Sequence, residues 1–118
     1  MSRRKNSCAK GKVGEREAAR LLTSLGLGPA RRGKQYSGEE GRDVVHSIQG
    51  LHLEVKRCEQ LNLYDAVEQA REDAHTDTYV HAMLHRKNRR EWLFVVPASE
   101  VVGFARCVVA AHELYRQE

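Results

Sequence analysis

Residues 51–57 read Leu-His-Leu-Glu-Val-Lys-Arg. Leu51, Leu53 and Val55 alternate with His52, Glu54 and Lys56, the period of a β-strand with one face on a core and the other carrying polar groups. Such a strand needs sheet partners and covering helices, and its flanks offer both. Val13, Ala18, Leu21, Leu22 and Leu25 recur at helical spacing from about residue 11 to a stop at Gly26. Residues 28–41 are glycine-rich, basic at first and then acidic, and read as a mobile loop. Residues 43–48 predict a short strand joined to 51–57 through a tight turn at Gln49-Gly50. Leu63, Val67, Ala70 and Ala74 mark a helix over roughly 62–76, and residues 79–86 and 91–96 predict two more strands linked by Lys87-Asn88-Arg89-Arg90. Pro97 ends the last strand, and Ser99 fits the N-cap of a C-terminal helix with Glu100 in its first turn. The expected order is α-β-β-α-β-β-α, an α/β sandwich around a mixed central sheet.

The chain of 118 residues is read as a single domain over 1–118, with a basic flexible arm at 1–10 and the C-terminal helix at 98–118. No stretch approaches the roughly 18 consecutive apolar residues of a membrane span. The basic start Met1-Ser2-Arg3-Arg4-Lys5 is followed by no apolar run, so no signal peptide is expected. Cys8, Cys58 and Cys107 form an odd set without a Cys-x-x-Cys pair, which argues against a disulfide scaffold or cysteine zinc site and suits a reducing cytoplasm.

The net charge of +4 conceals an asymmetry. Residues 1–34 hold ten Lys/Arg against Glu15 and Glu17, whereas residues 35–118 hold ten against fourteen Asp/Glu. A basic leading third on a mildly acidic body suits contact with a phosphate backbone; a solubilising terminus would read the same way.

Glu15, Asp43, Glu54 and Lys56 form the candidate catalytic set. Glu54 and Lys56 lie two apart and share a strand face, and Asp43 opens the preceding strand across the Gln49-Gly50 turn. Two hard carboxylates brought together make a minimal Mg²⁺ site, completed by water and substrate phosphate. Lys56 beside them can polarise an attacking water or balance phosphate charge. Glu15 shares a helical face with Ala18, Leu22 and Leu25, and a carboxylate on a buried face is costly unless paired or bound to a cation. The bland alternatives are a Glu54–Lys56 salt bridge, a strand-initiating Asp43, and a Glu15 just off the apolar face.

These residues carry a resemblance to the PD-(D/E)XK nuclease superfamily, and within it to the small Holliday junction resolvase-like proteins of phages and prophages. Gly11-Lys12-Val13-Gly14-Glu15-Arg16-Glu17 is similar to the first-helix motif, and Arg31-Arg32-Gly33-Lys34-Gln35-Tyr36-Ser37-Gly38 to the basic loop before the core. Arg42-Asp43-Val44-Val45 occupies the place of the Pro-Asp motif, with arginine where proline is usual, and Leu53-Glu54-Val55-Lys56-Arg57 that of the (D/E)XK motif. The resemblance covers about residues 11–97. It implies a restriction-endonuclease-like fold and a Mg²⁺- or Mn²⁺-dependent endonuclease of branched DNA, leaving 5′-phosphate and 3′-hydroxyl ends. Asp43, Glu54 and the Val55 carbonyl would hold the metal, Glu15 would support the metal or its water, and Lys56 would orient the nucleophile. Gln69 resembles the glutamine many relatives place after the lysine motif; an ordinary surface glutamine reads equally well. A cytoplasmic setting, bacterial or in a phage's host, and a part in DNA recombination or packaging follow from the same resemblance.

Two-fold symmetry of a four-way junction adds an assembly argument. Both strands must be cut, and a chain this short holds one site, so resolution calls for a homodimer. Val101, Val102, Phe104, Val108 and Val109 are candidates for its interface, with core packing as the competing role. Lys10, Lys12, Arg31, Arg32, Lys34, Arg57, Lys87, Arg89 and Arg90 are candidate DNA contacts. His52 shares the face of Glu54 and reads as a surface histidine within reach of the site. No His-x-x-x-His pair falls on a predicted helix, so a histidine metal site is not expected. Trp92 and Phe94 read as core rather than base-stacking groups. The competing functions are a restriction-like, nicking or flap nuclease with the same chemistry, and a non-catalytic DNA-binding module on the same fold.

Overall fold

A computed structural model describes residues 12–33, 44–74 and 77–116. The elements run α1 (Lys12–Ser24), β1 (Arg31–Arg32), β2 (Val44–Val45), β3 (Leu51–Arg57), α2 (Leu63–Asp73), β4 (Val80–Arg86), β5 (Leu93–Val95), a 3-10 turn (Ala98–Glu100) and α3 (Val101–Tyr115). The fold is mixed α/β, with three helices and a three-stranded mixed sheet of order β3-β4-β5 among the described residues.

Local chemistry explains where the elements end. Gly26 takes φ 78°, and Leu27 N–H bonds Leu22 O at 3.1 Å while Gly26 N–H bonds Thr23 O at 3.0 Å. That left-handed glycine closes α1 by satisfying its last carbonyls. At the start of α2, the Asn62 side chain accepts from Asp65 N–H at 3.1 Å.

The sheet differs from the sequence expectation at one join. Residues 43–48 and 51–57 were expected as a hairpin. Instead β2 pairs antiparallel with β1, with Arg31 opposite Val45 and Arg32 opposite Val44. β3 takes β4 as its parallel partner, from Leu51 opposite Val80 to Arg57 opposite Arg86, and β5 closes antiparallel on β4. Gln49-Gly50 still turns, with Gly50 at φ 85°, but its carbonyl receives Tyr79 and Val80 N–H and so starts the β3–β4 ladder. A parallel pair needs a crossover of a dozen or more residues, and α2 supplies it. The observed order is α-β-β-β-α-β-β-α, the added strand being Arg31–Arg32.

Alternation along β3 and β4 builds two layers on the sheet. Leu51, Leu53 and Val55 join Val80, Ala82 and Leu84 in the core with Ala18, Ala19 and Leu22 of α1 and Cys107 and Ala111 of α3. Gly14 and Gly103 bring these helices close: an added Cβ at Gly14 would lie 2.8 Å from Arg57 Cβ, and one at Gly103 3.0 Å from Val80 Cγ2. The opposite face carries His52, Glu54 and Lys56 beside His81, Met83 and His85. α2 lies over that face with Ala66 and Ala70 buried, tied down where Arg71 and His81 both contact Glu100.

Of the apolar positions assigned to α1, Val13 and Leu25 are exposed, and the buried face is Ala18, Ala19 and Leu22. In α2 the buried residues are Ala66 and Ala70, while Leu63 is exposed. α3 divides the apolar set: Phe104 and Val108 pack on the core, whereas Val101, Val102 and Val109 are exposed. Trp92 and Phe94 pack against the core, and Phe94 meets Phe104 with ring centroids 5.4 Å apart. No described helix is long and apolar enough to cross a membrane. The expected arm at 1–10 lies outside the described residues.

Candidate active site

β3 carries the acid and the amine of the candidate site on one face. Glu54 is only 5% exposed, and its Oε2 lies 2.9 Å from Nε2 of His52, itself 4% exposed. His52 was expected at the surface, and burial beside Glu54 corrects that. Glu54 and Lys56 do not form the salt bridge that the sequence left open. Lys56 is half-buried and has no hydrogen-bond or ion-pair partner among the described residues. The next residue on its face, across the ladder, is His85, whose Nε2 contacts Cys58 O at 3.1 Å.

Glu15 is buried on α1, and its Oε1 lies 3.3 Å from Arg32 Nε. That nitrogen is buried and lacks an aligned hydrogen bond, so the pair is held by charge and proximity. The structure thus places Glu15 against Arg32, one of the expected DNA contacts; Arg31 beside it is exposed. Asp43, Lys10 and Lys34 lie outside the described residues, as does the side chain of Lys12. Among the described residues no three His, Cys, Asp or Glu side chains gather into a metal-binding group.

Arg57 was expected to contact DNA, but its guanidinium is engaged within the fold. Its Nε donates to Glu17 Oε1 at 3.2 Å, and its Nη1 to Asn88 Oδ1 at 2.8 Å. Arg86 Nη1 reaches the same Glu17 oxygen at 3.0 Å, and Arg86 Nε donates to Arg90 O at 2.6 Å. Asn88 N–H is in turn accepted by Glu59 Oε2 at 2.7 Å. These bonds brace the β4–β5 turn and leave the side chains of Lys87, Arg89 and Arg90 exposed. Arg89 takes φ 63° in that turn. His85, Arg86, Lys87, Arg90, Glu91 and Leu93 line a cavity of about 390 Å³ there. Gln69 is exposed on α2.

Glu17, Arg86 and Asn88 were missed in the sequence. Their pairing joins positions 40 and 69 residues apart, which no local spacing signals. Cys58 is buried just past β3, and Cys107 is a free buried thiol.

Glu54 and Lys56 share one face of β3, with Val55 between them in the chain. No family model matches the chain, and no curated protein or solved structure does either.

Proposed function

We propose that the chain is a Mg²⁺- or Mn²⁺-dependent endonuclease of branched DNA, on a restriction-endonuclease-like sheet and acting as a homodimer. The observation that carries this reading is the half-buried Lys56, without a partner among the described residues, on the same strand face as the buried Glu54. A buried carboxylate is expensive unless something compensates it, and an amine held beside it without joining it stays available to a third group. A metal-assisted phosphodiester hydrolysis uses that pairing.

Asp43, Glu54 and the Val55 carbonyl would hold the cation, and Glu15 would support it or its water. The bound cation supplies Lewis-acid activation of the scissile phosphate. Lys56 orients the attacking water and offsets charge on the phosphate in flight. Lys87, Arg89 and Arg90 steer the DNA backbone, with Lys10, Lys12, Arg31, Arg32 and Lys34 on the other side of the sequence. Exposed Val101, Val102 and Val109 offer apolar surface to a second copy. The strand pairing is compatible with the proposed sheet: β3 and β4 run parallel through α2, with β2 and β5 antiparallel to their partners. Duplex, nicked or flap DNA would be cut by the same chemistry, because the constellation reads a phosphodiester and not the shape around it.

One observation favours a second reading, a non-catalytic DNA-binding module: His52 already partners Glu54, so the buried acid is compensated without a cation. Substituting Asp43 or Glu54 by alanine separates the two. A nuclease loses turnover while keeping junction affinity, whereas a binding module loses little of anything.

A further inference from the structure

The cavity of about 390 Å³ beside the β4–β5 turn has a lining of mixed character, and its size falls within the range of about 300–1,000 Å³ that small-ligand pockets occupy. Leu93 is 53% exposed and lies opposite the half-buried His85, so an apolar side chain and a flat ring line one wall together. Lys87, Arg90 and Glu91 are exposed, and their side chains have no hydrogen-bond or ion-pair partner among the described residues. Two cations and an acid thus border one cavity without neutralising each other.

The turn that carries these groups is held in one shape from behind. Arg86 Nε donates to Arg90 O at 2.6 Å, Arg90 N–H to Lys87 O at 3.2 Å, and Asn88 N–H to Glu59 Oε2 at 2.7 Å. Arg89 keeps φ 63° there, a left-handed backbone that residues with a Cβ rarely adopt, so the bonds impose the shape against local preference. A preformed wall spares a ligand the cost of ordering it.

We propose that this cavity seats one unstacked nucleotide: its phosphate on Lys87 and Arg90, its base against Leu93 and the His85 ring, and an amino group of the base donating to Glu91. A bare phosphate would use only the two cations and would meet Glu91 at a penalty. An apolar ligand would leave all three charges idle. A nucleotide carrying an amino-bearing base uses every part of the lining. The inference rests on the nucleic-acid half of the proposed function and not on its metal chemistry. His85 and Leu93 continue the sheet row of Lys56, so the seat lies about 10 Å across the sheet from the strand of the candidate catalytic amine. A branch point or a single strand offers an unstacked nucleotide at little cost, whereas a continuous duplex must break a pair to supply one. The cavity thus supplies a preference for branched over duplex DNA that the candidate catalytic residues do not.

The test is titration of the isotope-labelled full chain in EDTA with short oligo(dC), short oligo(dT) and inorganic phosphate, followed by amide chemical shifts, for wild type, Glu91→Ala and Leu93→Ser. Both substituted side chains are exposed, and an unchanged thermal midpoint confirms that each variant folds. Oligo(dC) should shift the amides of residues 85–93 in wild type and bind about 10-fold tighter than oligo(dT), whose base has no amino group. Glu91→Ala should erase that ratio. Leu93→Ser should weaken both strands about 5- to 20-fold and leave inorganic phosphate unaffected. Equal binding of the two strands by wild type, or inorganic phosphate shifting residues 85–93 as readily as oligo(dC), overturns the proposal and reduces the cavity to an anion site. Junction cleavage in Mg²⁺ is measured separately. Cleavage without any response at residues 85–93 sinks the nucleotide seat alone, whereas oligo(dC) bound there by a chain that cuts nothing keeps the seat and removes the nuclease reading.

Discussion

Glu17 Oε1 accepts from Arg57 Nε at 3.2 Å and, with the same oxygen, from Arg86 Nη1 at 3.0 Å. One carboxylate on α1 thereby clamps the C-terminal ends of two adjacent parallel strands, directly after Lys56. Hydrogen bonds to charged groups contribute about 1.5–3 kcal/mol each when well shielded. These are a quarter exposed, so Glu17→Ala should cost about 1–2 kcal/mol in total, read as a lower urea midpoint at unchanged slope. The same change removes the carboxylate that both guanidinium groups share, leaving Arg57 on Asn88 and Arg86 on the Arg90 carbonyl with their charge unbalanced. Junction affinity should then fall more steeply with salt than in wild type, by a slope increment of about 1–2. An unchanged slope would mean that neither arginine faces the DNA path.

Gly14 is a packing glycine within α1. Replacing it with alanine improves helix propensity by about 1 kcal/mol. The new Cβ would lie 2.8 Å from Arg57 Cβ and 3.2 Å from its Cγ, atoms anchored close to the β3 backbone. Overpacking costs about 1–3 kcal/mol, so Gly14→Ala should be destabilising or at best neutral. A raised thermal midpoint would show that α1 and β3 are less tightly apposed.

Glu100 links three elements. Its Oε1 accepts His81 N–H at 2.7 Å and meets His81 Nδ1 at 2.9 Å, while Arg71 Nη2 lies 3.4 Å from Oε2. Burial pushes its pKa up, but the His81 backbone and ring bonds and Arg71 together outweigh burial and hold it below the ordinary 4.5. A carboxyl depressed in the folded state stabilises above its unfolded pKa and loses that contribution as pH falls through the folded value. Wild type should therefore lose more stability than Glu100→Gln on acidification below about pH 4.5. Parallel stability curves from pH 6 to 3 would contradict it.

The β4–β5 turn presents Lys87, Arg89 and Arg90 at the surface while their backbone is braced from below by Arg86 and Glu59. Alanine at all three should weaken binding of junction and duplex alike and flatten the salt slope by about 2–3. A changed sequence preference at unaltered affinity would show base contact rather than backbone steering.

Much of this fold was legible because period and punctuation agreed. The 51–57 alternation matched β3 to the residue, Gly26 stopped α1, and the Asn88 turn separated the last two strands. The hairpin was misread for a physical reason: a tight turn at Gln49-Gly50 and two short apolar runs look alike whether the strands pair with each other or with third partners. Parallel pairing of β3 with β4 depends on contacts 29 residues apart, which local pattern does not encode. In the site, the face shared by Glu54 and Lys56 follows from alternation alone. The burial of His52 does not, because it depends on α2 lying over that face. Arg57 shows the opposite failure: a basic residue next to a catalytic-looking motif reads as a phosphate contact until its partner Glu17, distant in sequence, is placed.

The most direct measurement is cleavage of an end-labelled four-way junction beside linear duplex, in Mg²⁺ and in EDTA, by wild type and Glu54→Ala. Paired symmetric nicks on the junction, lost in EDTA and in the variant while junction affinity persists, are the predicted result. Tight binding with no cleavage of any DNA, in Mg²⁺ and Mn²⁺ alike, would contradict the account.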